Sequence, residues 1–387
     1  MRASAFVYPW DVNGDPGAPG RIASLGVDQV TLAAAYHSTR ALTPRHPRHR
    51  IVTAEYAAVL YPPDERWARH ALRPHPAGDW APGDAFGEAA SAFAAAGLEV
   101  HSWVVLAHNS RLGAEHPHTS VVNAYGDRYP WAPCIAQPAT RAYLIALAAE
   151  AAVRPGASGT ELESLGWYGL QHLHAHDKTG GVGLGEAGQY LMSLCFCPTC
   201  RVGYGEQGLD AEELAAAVRA ALVPVWRGAA KDDDWGDVER GLGAETAAAT
   251  LAWRETVART LQEETVAAVR AAAPKGFRVL LHADPVSHHC GANAGVDPAH
   301  ILAAADGVVV PCVDGTHRLA PFARHAHVDT VLAANLTVVS GMGGAPGRLA
   351  ADAARARDDG ANELRLYHAG LASDADLAAV REGLAGL

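Results

Sequence analysis

Short apolar runs recur along the chain, and most are followed by a loop and then by an alanine-rich segment with the 3.6-residue period of an amphipathic helix. Eight of these runs are predicted strands, and they cover residues 3–10, 28–38, 98–110, 162–169, 277–284, 306–315, 336–344 and 362–370. Helical periodicity falls at residues 84–96, 138–152, 210–222, 243–273, 298–304, 345–358 and 373–385. Apolar strands that alternate with helices indicate a parallel sheet covered on both faces.

Eight strand–helix units over 387 residues predict the α/β class and a (β/α)8 TIM barrel with long βα loops after strands 2, 3 and 4. We expect a single domain over residues 1–387, with segments 37–75, 107–137 and 170–242 as insertions. Residues 51–61 are expected to add a strand or hairpin to the second unit. The alternative fold is an open doubly wound sheet, but no glycine-rich phosphate-binding motif follows the first strand.

Composition and charge narrow the classes of partner. Charged residues make up 19% of the chain, the formal net charge is -11, and Lys and Arg form no cluster. Nucleic acids and anionic membranes require a basic surface, so neither is an expected partner. The sequence has no signal-peptide pattern and no apolar run of membrane-spanning length, which predicts a soluble, cytoplasmic protein. The oligomeric state stays open, and a homo-oligomer is one alternative.

The residues that end the strands of a TIM barrel meet at one mouth, so polar groups at those positions predict the binding site. The expected ligand contacts are Tyr8, Trp10, Asp11, Tyr36, His37, His108, Asn109, His282, Tyr367 and His368, together with His176 from the loop after the fourth strand. Rings for stacking and polar groups for hydroxyls suit a small carbohydrate or glycoside. The predicted seventh strand ends in residues 340–344 and offers no strong polar group.

Glycoside hydrolysis needs two carboxyl groups that flank the scissile bond. Glu163 lies among apolar and aromatic neighbours, where burial would raise its pKa and suit a general acid. Asp284 or Asp314, at the ends of the fifth and sixth strands, is the expected base or nucleophile, and Asp177 is the alternative partner. Glu161 is expected to face solvent near the start of its strand.

Two other functions remain open. His172, His174 and His176 alternate, so in extended backbone they face one way and could bind a metal ion together with His282, His108 or His37. That arrangement would suit a metal-dependent hydrolase, lyase or sugar isomerase. The other alternative is a catalytically inactive carbohydrate-binding barrel, since no acidic residue ends the predicted seventh strand. No organic cofactor is expected.

Three cysteines in the pattern C-x-C-x-x-C predict a metal site. Cys195, Cys197 and Cys200 lie within six residues, and their thiolates could wrap one tetrahedral Zn²⁺ of a closed, structural type. Cys134 is the best candidate for the fourth ligand, ahead of Cys290 and His176. Three buried thiols without a metal, and an iron–sulfur cluster, are the alternatives. Such a motif fits a reducing compartment better than a disulfide framework does.

The cysteine motif, which follows the fourth strand and is preceded by an acidic residue, resembles the zinc loop of glycoside hydrolase family 42 β-galactosidases and related TIM-barrel hydrolases. The run NAYGDRYPWAPCIAQPATRAY at residues 123–143 is similar to a segment of actinobacterial barrel proteins of the glycosidase-like superfamily. The resemblance implies a TIM barrel with structural zinc and glycosidase-like chemistry. Family 42 carries an Asn-Glu pair at the end of the fourth strand and a Glu at the end of the seventh. This chain instead has Glu163-Ser164 in the fourth strand, and no acidic residue ends its predicted seventh strand.

Overall fold

A closed barrel of parallel strands forms the centre of the computed structural model, which describes residues 1–171, 177–229 and 234–387. Within these residues the eight barrel strands are β1 (Arg2–Val7), β2 (Gln29–Tyr36), β3 (Glu99–Val105), β4 (Gly159–Glu163), β5 (Arg278–Asp284), β6 (Gly307–Pro311), β7 (Val331–Thr337) and β8 (Glu363–Tyr367). Each strand pairs with its neighbours in the sequence, and β1 pairs with both β2 and β8, which closes the barrel. The predicted TIM barrel is confirmed.

Helices surround the barrel. They are α1 (Ala18–Ala23), α2 (Ala85–Ala95), α3 (Ser110–Glu115), α4 (Pro138–Ala152), α5 (Gly185–Ser193), α6 (Pro198–Glu206), α7 (Ala211–Trp226), α8 (Trp235–Leu242), α9 (Ala244–Ala272), α10 (Pro298–Ala304), α11 (Ala320–Ala323), α12 (Leu349–Asp358) and α13 (Asp374–Ala385). Several helices begin at a residue whose side chain accepts a hydrogen bond from a backbone N–H of the first turn. Asp84 does so for α2 and Ser373 for α13. Among the described residues, none of the helices combines the length and hydrophobicity that crossing a lipid bilayer requires.

Shorter strands and helices occupy the long segments after β2, β3 and β4. Ile51–Ala54 pairs antiparallel with Thr39–Leu42, and Ala58–Val59 pairs antiparallel with β2, so the extra strands expected in residues 51–61 are present. A second hairpin joins Ser120–Val122 to Arg128–Pro133 after β3. The segment after β4 contains α5, α6, α7 and α8, of which only α7 was expected from helical periodicity.

Two barrel strands begin earlier than the apolar pattern predicts. β4 spans Gly159–Glu163 rather than 162–169, and β7 spans Val331–Thr337 rather than 336–344. The reason is that the chain stays buried after each strand ends, as Leu165 and Val338 illustrate. A run of apolar residues therefore continues past the last strand hydrogen bond. Both Glu161 and Glu163 therefore lie inside β4.

A charged pair lies in the interior of the barrel, and it overturns the expectation that Glu161 faces solvent. Glu161 is fully buried, and its Oε1 accepts hydrogen bonds from Arg365 Nε at 2.6 Å and from Thr31 Oγ1 at 3.1 Å. Arg365 also donates to Glu363 Oε2 at 2.9 Å. Burial by itself would raise the pKa of Glu161, but Arg365, His282 and His101 together outweigh burial and lower the pKa to about 2.

Removing Arg365 should destabilise the fold strongly. The Arg365→Met variant would leave the Glu161 carboxylate buried without its cation, which typically costs about 3–5 kcal/mol. Urea unfolding of the variant should report a loss of that size. Arg357→Met, at an exposed position on α12, is the matched control and should stay within about 0.5 kcal/mol of the wild type. Equal stability of Arg365→Met and the wild type would contradict the role assigned to the interior pair.

Candidate active site

A cavity of about 1130 Å³ opens at the ends of the barrel strands. Many of the side chains predicted from strand ends line it, namely Tyr8, Tyr36, His37, His108, Glu163, Asp284, Asp314, Tyr367 and His368. These residues come from seven different strands or the loops that follow them, so the barrel brings together groups that are far apart in the sequence. His172, His174 and His176 lie outside the described residues.

Glu163 is the last residue of β4 and lies at the base of the cavity. Its side chain is buried, and Oε2 accepts a hydrogen bond from Trp103 Nε1 at 2.7 Å. Burial raises the pKa of Glu163, while the His282 charge and the Trp103 hydrogen bond act in the opposite direction. Ser164, the next residue, has a φ of 57° in the left-handed region, where the chain turns out of the barrel. The site therefore holds the pKa of Glu163 above its ordinary value.

Aromatic rings form one continuous side of the cavity. Tyr36 stacks on His37 with ring centroids 4.2 Å apart, and His108 stacks on Tyr168 at the same distance. The rings of His37 and His108 join the two pairs at 4.6 Å. We call these four rings, Tyr36, His37, His108 and Tyr168, the aromatic wall. Its ring faces and polar atoms can contact both the apolar faces and the hydroxyls of a sugar ring.

Asp284 ends β5 and is a nearly buried carboxylate of the cavity. Its Oδ1 lies 3.1 Å from His289 Nδ1 and accepts from the Val286 N–H at 2.9 Å, and its Oδ2 is paired with Arg318. Burial alone would raise the pKa of Asp284, but the His289 hydrogen bond and the neighbouring positive charges lower it overall. Asp284 is therefore held in its ionised form.

Five of the predicted contact and catalytic residues that the structure describes do not line the cavity, namely Trp10, Asp11, Asn109, Asp177 and His282. Trp10 stacks beneath Tyr8 at 4.5 Å, and Asp11 accepts a hydrogen bond from the Tyr8 N–H at 2.8 Å. Asn109 caps the start of α3, since its Oδ1 accepts from the Leu112 N–H. Asp177 is exposed on the surface after β4. Trp10 and Asp11 thus contact Tyr8, which lines the cavity, and Asn109 holds the start of α3.

His282 also lies below the cavity surface rather than in its lining. Its Nε2 is 3.6 Å from Glu161 Oε2, and its Nδ1 is 3.9 Å from Glu163 Oε2. The imidazole therefore stands between the interior ion pair and the cavity carboxyl. His282 was predicted to contact the ligand, but in the structure it lies close to the Glu163 carboxyl group instead.

The strand-end pattern missed part of the lining. These side chains all lie several residues past the end of the preceding barrel strand, and they are Tyr168, Glu186, His288, His289 and Arg318. The consecutive histidines shortly after the fifth predicted strand were a signal in the sequence. Their distance from the strand end, however, gave no indication of where the loop would place them.

A buried cluster of cysteines lies to one side of the barrel. The Sγ atoms of Cys134, Cys195, Cys197 and Cys200 are all within 4.8 Å of one another, and Cys134 Sγ is 3.6 Å from both Cys197 and Cys200. Four thiol groups at this separation could hold one metal ion. The structure thus brings the predicted fourth residue, Cys134, to the C-x-C-x-x-C motif, whereas Cys290 points elsewhere, at Arg254.

Comparison with known proteins identifies the fold. No protein-family model and no curated protein sequence matches the chain. Among solved structures, α-L-fucosidase isoenzyme 2 from Paenibacillus thiaminolyticus matches with a TM-score of 0.58 and 12% identity, over 100% of this chain and 49% of that chain. The glycoside hydrolase domain of PgaB (BpsB) from Bordetella bronchiseptica matches with a TM-score of 0.56 and 15% identity, over 99% of both chains.

A catalytic mutant of a GH42 β-galactosidase from G. stearothermophilus matches with a TM-score of 0.57 and 12% identity, over 100% of this chain and 56% of that chain. The chain thus spans about half the length of the fucosidase and of the β-galactosidase. At these identities the likeness establishes a shared TIM-barrel fold with glycoside hydrolases.

The hydrogen bond from Trp103 should set part of the acidity of Glu163. Trp103→Phe removes the indole donor to Oε2 and keeps a ring in place, so the ionised carboxylate loses stabilisation and its pKa should rise. Carboxyl ¹³C NMR titration of glutamate-labelled protein, with Glu163→Gln to assign the resonance, measures the change. An unchanged or lowered pKa in Trp103→Phe would contradict this account.

Proposed function

We propose that the protein is a glycoside hydrolase-like enzyme that acts on a carbohydrate or glycosylated metabolite, with Glu163 as general acid and Asp284 as its ionised partner. The observation that carries the proposal is the opposite tuning of two carboxyl groups in one cavity. The pKa of Glu163 is raised by burial, and the pKa of Asp284 is lowered by His289 and Arg318 despite burial. Glycosidic bond cleavage needs one carboxyl group with a raised pKa, which can act as an acid, and a second carboxyl group that is ionised.

The proposed mechanism uses the opposite shifts of these two pKa values. Glu163 would donate its proton to the oxygen of the leaving group, and Asp284 would act on the anomeric carbon directly or through a water molecule. The aromatic wall would hold the sugar ring beside both groups. Asp314 is exposed at the cavity and is the alternative partner, whereas Asp177 lies outside the lining.

The structural neighbours support the proposal at the level of reaction class. Their names describe a fucosidase, a glycoside hydrolase domain and a β-galactosidase, all enzymes that act on glycosides. Within the described part of the chain, no Lys or Arg forms an ion pair with Glu163. That distinguishes Glu163 from Glu161, which Arg365 neutralises, and favours an enzyme over an inactive carbohydrate-binding barrel.

We also propose that the four cysteines bind a structural Zn²⁺. All four are buried, and a closed set of four thiolates is the donor set typical of structural zinc. Cys134 follows the hairpin after β3, and the other three lie between α5 and α6 or in the first turn of α6. The ion would therefore tie the long segment after β4 to the segment after β3.

A second candidate function is a metal-dependent reaction at the mouth of the barrel. The observation that favours it is a group of one carboxylate and two imidazoles in the cavity, Glu186, His288 and His289. These are not the alternating histidines from which a metal site was expected in the sequence.

Glu163→Gln should lower turnover about 10²–10⁴-fold, the usual contribution of general acid catalysis, while the thermal melt stays nearly unchanged. The measurement is hydrolysis of a panel of aryl glycosides and oligosaccharides by wild type and variant. Glu88→Gln, at an exposed position on α2, is the matched control and should keep full activity.

A Glu163→Gln variant that is as active as the wild type on a substrate the wild type cleaves would refute the assignment of Glu163. Wild-type protein that binds sugars and hydrolyses none of the panel would favour the inactive binding barrel. Asp284→Asn and Asp314→Asn, compared on the same substrate, distinguish the two candidates for the partner.

Purified protein dialysed against a weak chelator should retain one zinc ion per chain, and Cys134→Ser and Cys200→Ser should each release it and lower the melting temperature. Cys312→Ser changes a buried cysteine outside the cluster and should retain the metal. Metal content by mass spectrometry checks the prediction. Protein without stoichiometric zinc, or equal zinc in the Cys134→Ser and Cys312→Ser variants, would contradict it.

A further inference from the structure

Glu186, His288 and His289 form a group of one carboxylate and two imidazoles in the lining of the cavity. Glu186 lies in the first turn of α5, and the two histidines lie in the loop after β5. Each can offer one ligand atom, and the three atoms lie within 4.8 Å of one another. His289 Nε2 is 3.1 Å from Glu186 Oε2. Two remote segments of the chain therefore bring an imidazole–imidazole–carboxylate set together.

Two buried ring nitrogens belong to this group. His288 Nε2 is buried and makes no hydrogen bond within the part of the chain that the structure describes, and His289 Nε2 is buried with the Glu186 carboxylate as its neighbour. A buried polar atom without a partner is costly and calls for a ligand. A cation placed beside the two nitrogens would give His288 Nε2 a partner, and the Glu186 carboxylate could be its third ligand.

Asp284 gives His289 the orientation of a metal ligand. The Nδ1 atom of His289 lies 3.1 Å from Asp284 Oδ1, and Arg318 is paired with the other oxygen of the same carboxylate. Donation from Nδ1–H to a carboxylate leaves the Nε2 lone pair available, and this arrangement accompanies most histidines that bind metals. The site thus contains both the ligand atoms and a carboxylate, that of Asp284, which orients one of the ligands, His289.

We propose that Glu186, His288 and His289 bind a divalent transition-metal ion, of the Zn²⁺ or Co²⁺ class, in the wall of the cavity. Imidazole and carboxylate donors select such ions. Three protein ligands leave a coordination position open, and it would take water or an oxygen of the ligand, such as a sugar hydroxyl or carboxylate. The inference concerns metal binding alone and stands whether or not Glu163 acts as a general acid.

The donor set also separates this site from the cysteine cluster. Cys290 follows His289, but its Sγ lies 2.9 Å from Arg254 Nη2 and so is turned to another partner. Co²⁺ bound by Glu186, His288 and His289 should give d–d absorption without a thiolate-to-cobalt charge-transfer band, whereas Co²⁺ in the cysteine cluster would give that band.

The test starts from full-length protein dialysed against a weak chelator until one zinc ion per chain remains, in the cysteine cluster, and this protein is titrated with Co²⁺ and followed by absorption spectroscopy and equilibrium dialysis. The wild type should bind one Co²⁺ per chain with a spectrum free of the thiolate band. His288→Ala/His289→Ala should lose this equivalent, and Asp284→Asn should weaken it about 10–100-fold. His300→Ala, which removes a histidine that pairs with Glu263 at 2.8 Å outside the cavity, is the matched control and should bind as the wild type does.

Folding of each variant is checked by its thermal melt and by retention of zinc. Glu186→Gln serves as a milder variant if the double histidine change unfolds the protein, and it should also weaken Co²⁺ binding. Wild-type protein that takes up no Co²⁺, or a folded double variant or Glu186→Gln variant that binds Co²⁺ as tightly as His300→Ala, would overturn the proposal.

Discussion

The two-residue repeat of β4 places Glu161 and Glu163 on the same inward face of the barrel, one above the other. Two carboxylates cannot both be buried and charged at this spacing without compensation. Arg365 compensates the lower one, so Glu161 stays ionised. Its remaining negative charge adds to burial in raising the pKa of Glu163. The chemistry proposed for the cavity depends on this division of roles between the two glutamates.

Above this pair the cavity has two chemically different sides. On one side, the aromatic wall stands near the buried acid Glu163. On the other, Asp284 is held ionised by Arg318 and His289, and His289 in turn faces Glu186. Asp284 therefore serves both proposals, as the partner of Glu163 and as the residue that orients His289. A ligand in the cavity would meet a proton donor on one side and a cation or carboxylate on the other.

The sequence was sufficient to predict the barrel, the meeting of the strand ends at one mouth and the grouping of Cys134 with the C-x-C-x-x-C motif. These features follow from local hydrophobic periodicity and from the fixed connectivity of parallel strands. Position along a loop is not fixed in this way, and that explains why Glu186 and His289 were missed. The solvent-facing prediction for Glu161 failed because its burial depends on Arg365, which lies 204 residues away.

Strand boundaries were the other weak point. Apolar runs predicted β4 and β7 to lie several residues too late, since burial in this chain continues beyond the hydrogen-bonded ladder. Because Glu161 and Glu163 are two residues apart, the register of β4 decides whether both face inward, so an error of this kind bears directly on the site. Contacts between distant strands, rather than hydrophobicity alone, determine the register.

The most direct test of the central claim is a crystal structure of the Glu163→Gln variant soaked with a panel of monosaccharides and oligosaccharides. The account predicts a sugar ring against the aromatic wall, with residue 163 within hydrogen-bonding distance of a glycosidic or anomeric oxygen and Asp284 on the other face of the ring. A sugar bound away from both carboxyl positions, or a side chain at position 163 that points into the helical layer, would contradict the account.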